Sequence, residues 1–337
     1  MKDYKKYWLY GLLTMIIVCS LHSCDDEKYD VEGNPSDLLY FRNNWSPASL
    51  PSNSYLFKIL RTPIGGTGDD VFVKIPVRTT RSFDLDVTAS AEIDNSLVEK
   101  YNTKYGTDYK VFPEGSVSWV KTSVKLVAGA YESSDSLEFT VPKNQYEKFI
   151  ETAYLLPVRL TNASKGTISS TESVIWTFVK SEYKIIKDNV GVNEMPGTLV
   201  IDYSGWTISS TDEPTLNYTT CLDGNQNTGV RFSNVKNPTI VVDMKGVHKV
   251  CGIRILAYPY NWGNYYDLSS VMMEVSSDNS TWTRIGTASA MAKSAYYQLI
   301  AFYEGIDAQY IRLSLTWLNG SNSFYRNLRE VGIYVSE

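Results

Sequence analysis

The run Asp223-Gly224-Asn225-Gln226-Asn227-Thr228 places a carboxylate, side-chain amides and a hydroxyl in one short stretch. Oxygens of these kinds suit a hard cation, since calcium takes roughly six to eight carboxylate, amide and carbonyl oxygens. Asp223, Asn225 and Thr228 can supply several. The spacing is not that of an EF-hand, because Thr228 stands where the sharp turn requires Gly and Asn234 stands where the bidentate Glu belongs. The same residues also spell an Asx-turn that needs no metal. A second constellation is AYPYNWGNYYDLSS at 257–270, where Tyr258, Tyr260, Trp262, Tyr265 and Tyr266 stand among Pro, Asn and Gly. A strand core does not have that composition. A sugar offers apolar C–H faces ringed by hydroxyls, and holding it takes an exposed aromatic ring beside planar polar groups. Trp262 is the first candidate for glycan contact, followed by Tyr260 and the planar guanidinium of Arg231. Trp206, Asn261, Asn264, Tyr265, Asn322, Phe324 and Tyr325 could complete the site. The alternative is that about half of these rings only close the end of a fold.

Both constellations need rigid elements around them, and the flanking sequence reads as strands. Ile311, Leu313, Leu315 and Trp317 alternate with Arg312, Ser314 and Thr316, while VMMEVSSDNSTWTRIG (271–286) reads as strand, Asp-Asn turn, strand. The first half alternates too, at Val71, Val73, Ile75 and Val77, at Leu137, Phe139 and Val141, and at Leu156, Val158 and Leu160. Pro76 and Pro157 lack a ladder donor, which predicts edge or bulged strands. One helix is expected, capped by Asp94 or Asn95, with Leu97, Val98 and Tyr101 on one face and Gly106 at its end. KSEYKIIKDNVGVNEMPG (180–197) is mixed and charged and marks a boundary. The expectation is an all-β chain of two β-sandwich domains in tandem, 38–180 and 195–337, with a linker at 181–194.

Composition narrows the function. The 337 residues carry a net charge of −5, which argues against a nucleic-acid surface. His22 and His248 are the only histidines, so zinc sites and imidazole-based catalysis are disfavoured. Cys221 and Cys251 could form one disulfide or remain two buried thiols. Lys2, Lys5 and Lys6 precede an apolar run from Leu9 to Leu21, which is the pattern of a signal peptide over 1–23. A polar, flexible tether at 24–37 comes next.

Several segments resemble known families. Leu21-His22-Ser23-Cys24 resembles a bacterial lipobox, which implies lipidation of Cys24, and Asp25-Asp26-Glu27 resembles the export tag of Bacteroidetes surface lipoproteins. LVEKYNTKYGTDYKVFPEG (97–115), VKLVAGAYESSDSLEFTV (124–141) and AYLLPVRLTNAS (153–164) resemble an N-terminal β-sandwich domain of such lipoproteins, whose activity is unassigned. GWTISSTDE (205–213), CLDGNQNTGVRF (221–232), PTIVVDMKGVHKVCGIRI (238–255), MEVSSDNSTWTRIG (273–286), QYIRLSLTW (309–317) and LREVGIYV (328–335) resemble the discoidin-like, or coagulation factor 5/8 type C, family. The family includes the family 32 carbohydrate-binding modules. Its usual Trp after the metal loop is Val230 here. The resemblance implies a discoidin-like jelly roll with loops at one end that bind ligand. It also implies a structural Ca2+ held by Asp223, Thr228 and Glu330, with Asn225 assisting. Together these resemblances imply a non-catalytic glycan-binding lipoprotein, anchored to the outer membrane and facing the exterior. It would capture a glycan or glycoprotein for a SusC/SusD-like importer. A protein-protein adhesion or scaffold module is the alternative.

Overall fold

The structure, a computed structural model, describes residues 37–188, 190–257, 267–289, 291–294 and 297–337. Cys24 and the leader lie outside these residues. Among the described residues no helix is long and apolar enough to cross a membrane.

The first half contains β1 (Leu38–Tyr40), β2 (Ser54–Thr62), β3 (Gly65–Gly68), β4 (Phe72–Thr79), β5 (Val87–Ile93), α1 (Ser96–Tyr105), β6 (Lys110–Val111), β7 (Ser118–Lys121), β8 (Ser123–Leu126), β9 (Glu132–Thr140), β10 (Ala153–Ala163), β11 (Thr167–Ile168) and β12 (Val174–Tyr183). One sheet has the order β11-β1-β4-β9-β7. The other runs β3-β2-β12-β10-β5-β8, with β6 added on β10. Alternation decides which side chains enter the space between them. Val73, Ile75, Val77, Leu137 and Phe139 meet Val87, Leu126, Leu156, Val158, Ile175 and Val179 in one core. Each such buried side chain contributes about 1.5–3 kcal/mol. The opposite face of β10 and β12 is also apolar at Leu155 and Phe178, and α1 covers it with Val98 and Tyr101.

Asp94 marks the helix start, accepting from the Ser96 N–H and hydroxyl, and Gly106 closes the helix at φ 64°. Pro76 does sit beside a register shift between β4 and β9. Pro157 lies in an interior strand that is in unbroken register with β12 but bulged against β5, between Leu160 and Asn162. It is tolerated because β5 ends at Ile93, opposite Val158. Past that point only the Asp94 N–H reaches across, to the Pro157 carbonyl, so no ladder acceptor waits for the missing N–H.

Within 181–194 the chain is already paired. The Lys184 N–H donates to Arg61, on β2, and the Ile185 carbonyl accepts from Tyr303. The second half contains β13 (Ile186–Lys187), β14 (Thr198–Leu199), β15 (Thr207–Ser209), β16 (Val230–Arg231), β17 (Thr239–Leu256), β18 (Leu268–Ser276), β19 (Thr283–Ala288), β20 (Ala292–Ser294), β21 (Tyr297–Trp317), β22 (Asn327–Leu328) and β23 (Glu330–Ser336). The main sheet has the order β14-β23-β17-β21-β18-β19, and β16 pairs separately with β22. Strands β17 and β21 are long and bend. Their pairing breaks register between Asp243 and His248 and again between Val250 and Gly252, so the sheet curls round its own core. The stretch KGVHKV forms this bulge, and Lys245 takes φ 60° in it.

Cys221 and Cys251 are both free and buried. Burial pushes the Cys221 thiol up to about 12, which removes the reactive thiolate. Iodoacetamide should therefore leave Cys221 unmodified in the native protein and alkylate it in denaturant. Mass spectrometry of the Cys221 peptide checks this, and labelling under native conditions would contradict the packing.

Candidate functional site

The register of the second domain defines one loop-bearing end. Strand β21 starts there at Tyr297, turns back near Ala308, opposite His248, and returns to it at Trp317. Strand β17 ends there at Leu256, opposite Glu330 of β23, and β18 begins there at Leu268, opposite Trp317. The buried Gln298 ties these strand ends together. Its Nε2 donates to the Leu268 carbonyl at 2.9 Å, and its Oε1 accepts from the Leu268 N–H at 2.8 Å.

At this end the loop 222–229 closes on itself. Asp223 Oδ1 accepts from the Asn225 N–H at 2.8 Å, and Asn225 Oδ1 from the Asn227 N–H at 3.1 Å. The Asx-turn reading is therefore correct as local geometry. It does not account for the oxygens. Thr228 Oγ1 lies 2.8 and 3.0 Å from the two Asp223 carboxylate oxygens, 2.8 Å from the Asn225 carbonyl and 3.4 Å from the Thr220 carbonyl. One hydroxyl proton cannot serve all of them. Beneath the loop, Glu330 is only 4% exposed, and its Oε1 has no hydrogen-bond partner. Burial, and then the facing Asp223 carboxyl, push Glu330 up to about 7. For Asp223 burial acts upward as well, but the Asn225 N–H, the Thr228 hydroxyl and the Glu330 carboxyl outweigh it and hold the group below the usual range. Two carboxyls, a hydroxyl and two carbonyls facing one another, with one buried oxygen orphaned, fit a hard cation. Among the described residues no three His, Cys, Asp or Glu side chains gather as a metal-holding group, so most of the oxygens at this loop come from hydroxyl and carbonyl groups.

The loop is braced from its neighbours. Arg329 donates to the Asn227 carbonyl at 2.8 Å, and Gln226 Nε2 to the Tyr297 hydroxyl at 3.3 Å. The Arg254 guanidinium stacks 4.2 Å from the Tyr297 ring centroid. Gly229, at φ 141°, lets the loop press on the Leu328–Arg329 backbone, where a Cβ would come within 2.7 Å of the Arg329 Cα.

Beside the loop, Arg231 is exposed on β16, opposite Asn327 of β22. Asn322 Oδ1 caps the following turn by accepting from the Phe324 N–H at 2.9 Å. Phe324 is 47% exposed and meets Tyr325 edge-on at 5.6 Å. The structure thus gathers Arg231, Asn322, Phe324 and Tyr325 with the Asp223–Glu330 loop on one face. Trp206 is not among them. Its ring lies 5.2 Å from Tyr203 and 5.3 Å from His248. His248 and the face at Leu256 are separated by strand worth roughly 25 Å, so Trp206 packs near the opposite end. Tyr260, Asn261, Trp262, Asn264 and Tyr265 lie outside the described residues, between strands that end and resume at this face. Val230, in place of the family's usual Trp, is buried in the core.

Sequence reasoning passed over Arg254, Tyr297, Arg329 and Glu213. The Glu213 carboxylate lies under the same face. It accepts from the N–H groups of Asn234 at 2.9 Å, Val235 at 3.2 Å and Ser233 at 3.3 Å. The Ser233 hydroxyl and Asn234 Nδ2 also reach it, each at 3.3 Å.

The architecture is that of a two-domain, all-β protein. Residues 206–328 match the family model of the F5/8 type C domain, and the second half of the chain is a discoidin-like sandwich of that kind. Residues 40–167 match a family model described as an N-terminal domain. No curated protein matches the chain. Among solved structures it is similar to a two-domain protein of unknown function from Bacteroides fragilis, at 16% identity and TM-score 0.45, covering 88% of this chain and 94% of that one. It is also similar to a family 32 carbohydrate-binding module from Clostridium perfringens in complex with galactose, at 21% identity and TM-score 0.33, covering 41% of this chain and 98% of that one. A putative carbohydrate-binding protein from Bacteroides ovatus matches at 16% identity and TM-score 0.36, covering 82% of this chain and 64% of that one.

Proposed function

We propose that this protein is a non-catalytic glycan-binding lipoprotein of the cell surface whose F5/8 type C domain holds a saccharide at its loop-bearing end. One observation carries the reading. The aromatic-rich stretch 257–267 joins strands that end and resume at the face where Arg231, Asn322 and Phe324 are exposed beside an oxygen-rich loop. Trp262 is the proposed platform, with Tyr260, Asn261, Asn264 and Tyr265 around it and Arg231 reaching ligand hydroxyls. Asp223, Asn225, Thr228 and Glu330 would hold Ca2+. The ion would tie the loop to the start of β23 and take no part in chemistry. The lipobox-like LHSC sequence and the acidic run after it support anchoring at Cys24 on the outer leaflet. From there the protein would pass captured glycan to a SusC/SusD-like importer.

Native gels cast with single polysaccharides test the reading. Wild-type protein is expected to be retarded in at least one gel without releasing shorter products. Trp262→Ala should weaken the interaction about tenfold, the scale of one lost aromatic contact, and Arg231→Ala should weaken it less. Unchanged retardation in both variants would refute the placement. Leu318, exposed at the same face, favours the second reading, protein adhesion. That reading gains if no gel retards the protein while a neighbouring surface protein co-purifies with it.

A further inference from the structure

The first domain displays an indole that its own packing does not use. Trp45 is 90% exposed, yet the loop that carries it, residues 42–53, has little freedom. The Asn43 N–H donates to Asn53 Oδ1 at 2.8 Å, and Asn43 Nδ2 donates to the Ser54 carbonyl at 2.8 Å. The Trp45 N–H donates to Asn43 Oδ1 at 3.0 Å, and the Ser54 N–H to Ser46 Oγ at 3.0 Å. Glu172, far along the chain, accepts from Ser52 Oγ at 2.9 Å and Asn53 Nδ2 at 2.8 Å. Asn53 adopts φ 60°, a conformation Asn tolerates. Leu50 pins the loop to the small core under α1. A floppy loop could turn an indole inward, away from water. These bonds fix the loop, and the indole it carries stands almost wholly in water.

The surroundings select the ligand. Arg42 Nε donates to Asn44 Oδ1 at 3.1 Å, which joins a guanidinium and an amide on the loop that carries the ring. The rest of the tip is small or polar, with Ala48 and Ser49 exposed, and Trp45 is the one exposed large apolar residue among residues 42–53. A bilayer or an apolar protein hot spot would call for more apolar area than one ring. One flat ring beside planar hydrogen-bonding groups matches a single sugar residue, with its C–H face on the indole and its hydroxyls toward Arg42 and Asn44. We infer that Trp45, Arg42 and Asn44 form a second saccharide-contact site, on the first domain. The hydrogen-bonded loop lowers the ordering cost of binding there. A site on each domain makes the chain bivalent toward a polysaccharide, so two weak contacts give tighter capture than either alone. This goes beyond the proposed function, which places the ligand on the second domain only.

The test uses the chain from Asp25 onward as wild type, Trp45→Ala, Trp45→Phe, Trp262→Ala and the double Trp45→Ala/Trp262→Ala variant. Each is run in native gels cast with galactan, mannan, xylan, β-glucan or chondroitin sulfate, and each is floated with phosphatidylethanolamine–phosphatidylglycerol vesicles. Trp45 is exposed, so its variants should keep the wild-type melting midpoint. The expected result is that Trp262→Ala remains retarded in at least one gel, that the double variant loses this retardation about tenfold, and that Trp45→Phe retains most of it. The inference falls if Trp45→Ala migrates as wild type in every gel, or if no gel retards Trp262→Ala. It also falls if Trp45→Ala changes only vesicle flotation, which would make the ring a membrane contact. Failure of the second-domain reading shows separately, as identical migration with and without Trp262 whether or not Trp45 is present.

Discussion

Calcium added to chelator-treated protein should raise the unfolding midpoint of the second domain by about 5–10 °C, and Glu330→Gln should abolish the rise. A cation at a hundredfold excess over its Kd stabilises the folded state by about 2.7 kcal/mol, and in a domain of this size each kcal/mol moves the midpoint by about 2–4 °C. The effect originates at Glu330, which is buried with Oε1 unpartnered and faces the Asp223 carboxyl. Without a cation that arrangement is unfavourable, because an ionised carboxylate is taken from water and set beside a second one. Gln removes the charge and offers Asp223 an N–H donor. In chelator, Glu330→Gln should therefore be at least as stable as wild type, although it no longer responds to calcium. Asp223→Ala should lose the response and gain nothing, since Asp223 also anchors the Asn225 N–H and the Thr228 hydroxyl. Differential scanning calorimetry with and without chelator reads all three proteins. A calcium shift of equal size in wild type and Glu330→Gln would show that Glu330 is not a ligand.

What the sequence made legible was local. Val71, Val73, Ile75 and Val77 state their own burial because period two needs no partner to be read, and all four are buried. The Asp223–Thr228 loop is likewise a short-range object, and its internal turns arise from residue type. The bend of β17 is different. The residues around it remain in strand, and the bulge shows only in three dimensions, in the pairing of Asp243 with Tyr310 and of His248 with Ala308 and in the positive φ of Lys245. That bend decides which end of the sandwich a residue occupies, and it is why Trp206, chosen for its type alone, stands away from Arg231. Glu330 could be tied to Asp223 only through resemblance, because more than a hundred residues separate the pair and no periodicity connects them.

Glu213→Ala should be the most damaging single change in the second domain, lowering its stability by about 3–5 kcal/mol, or its midpoint by roughly 10 °C. Nothing around Glu213 in sequence advertises this, since the three N–H groups it accepts from belong to residues 233–235. Removing the carboxylate, itself only 6% exposed, takes the acceptor from all three donors at once, although Ser233 and Asn234 reach the surface. Glu213→Gln should recover part of the loss, because its Oε1 can still accept from the Asn234 and Val235 N–H groups, while its NH2 meets the Ser233 N–H and Asn234 Nδ2 donor against donor. Burial acts to raise the Glu213 carboxyl, but the N–H groups of Asn234, Val235 and Ser233 and the Ser233 hydroxyl outweigh it and hold the group below its ordinary value. A carboxyl lowered in the folded state stabilises above its unfolded value, near 4.5, and that stabilisation is lost as pH falls through the folded value. The gap between wild type and Glu213→Ala should thus be full at pH 7 and narrow in acid, which urea unfolding at a series of pH values measures. A gap independent of pH would mean that the carboxylate charge is not what holds the loop. The effect also reaches the ligand face. The Ser233 carbonyl accepts from Arg326 at 2.9 Å, and the Phe232 N–H donates to the Arg326 carbonyl. Loosening 233–235 therefore loosens the turn that presents Phe324 and the strand that presents Arg231. At temperatures where Glu213→Ala remains folded, its saccharide retention should fall while its calcium response persists. Asp223 and Glu330 have anchors of their own, the Asn225 N–H and Thr228 hydroxyl for Asp223 and the pairing with β17 for Glu330, so a parallel loss of both responses would instead indicate collapse of the whole end of the sandwich.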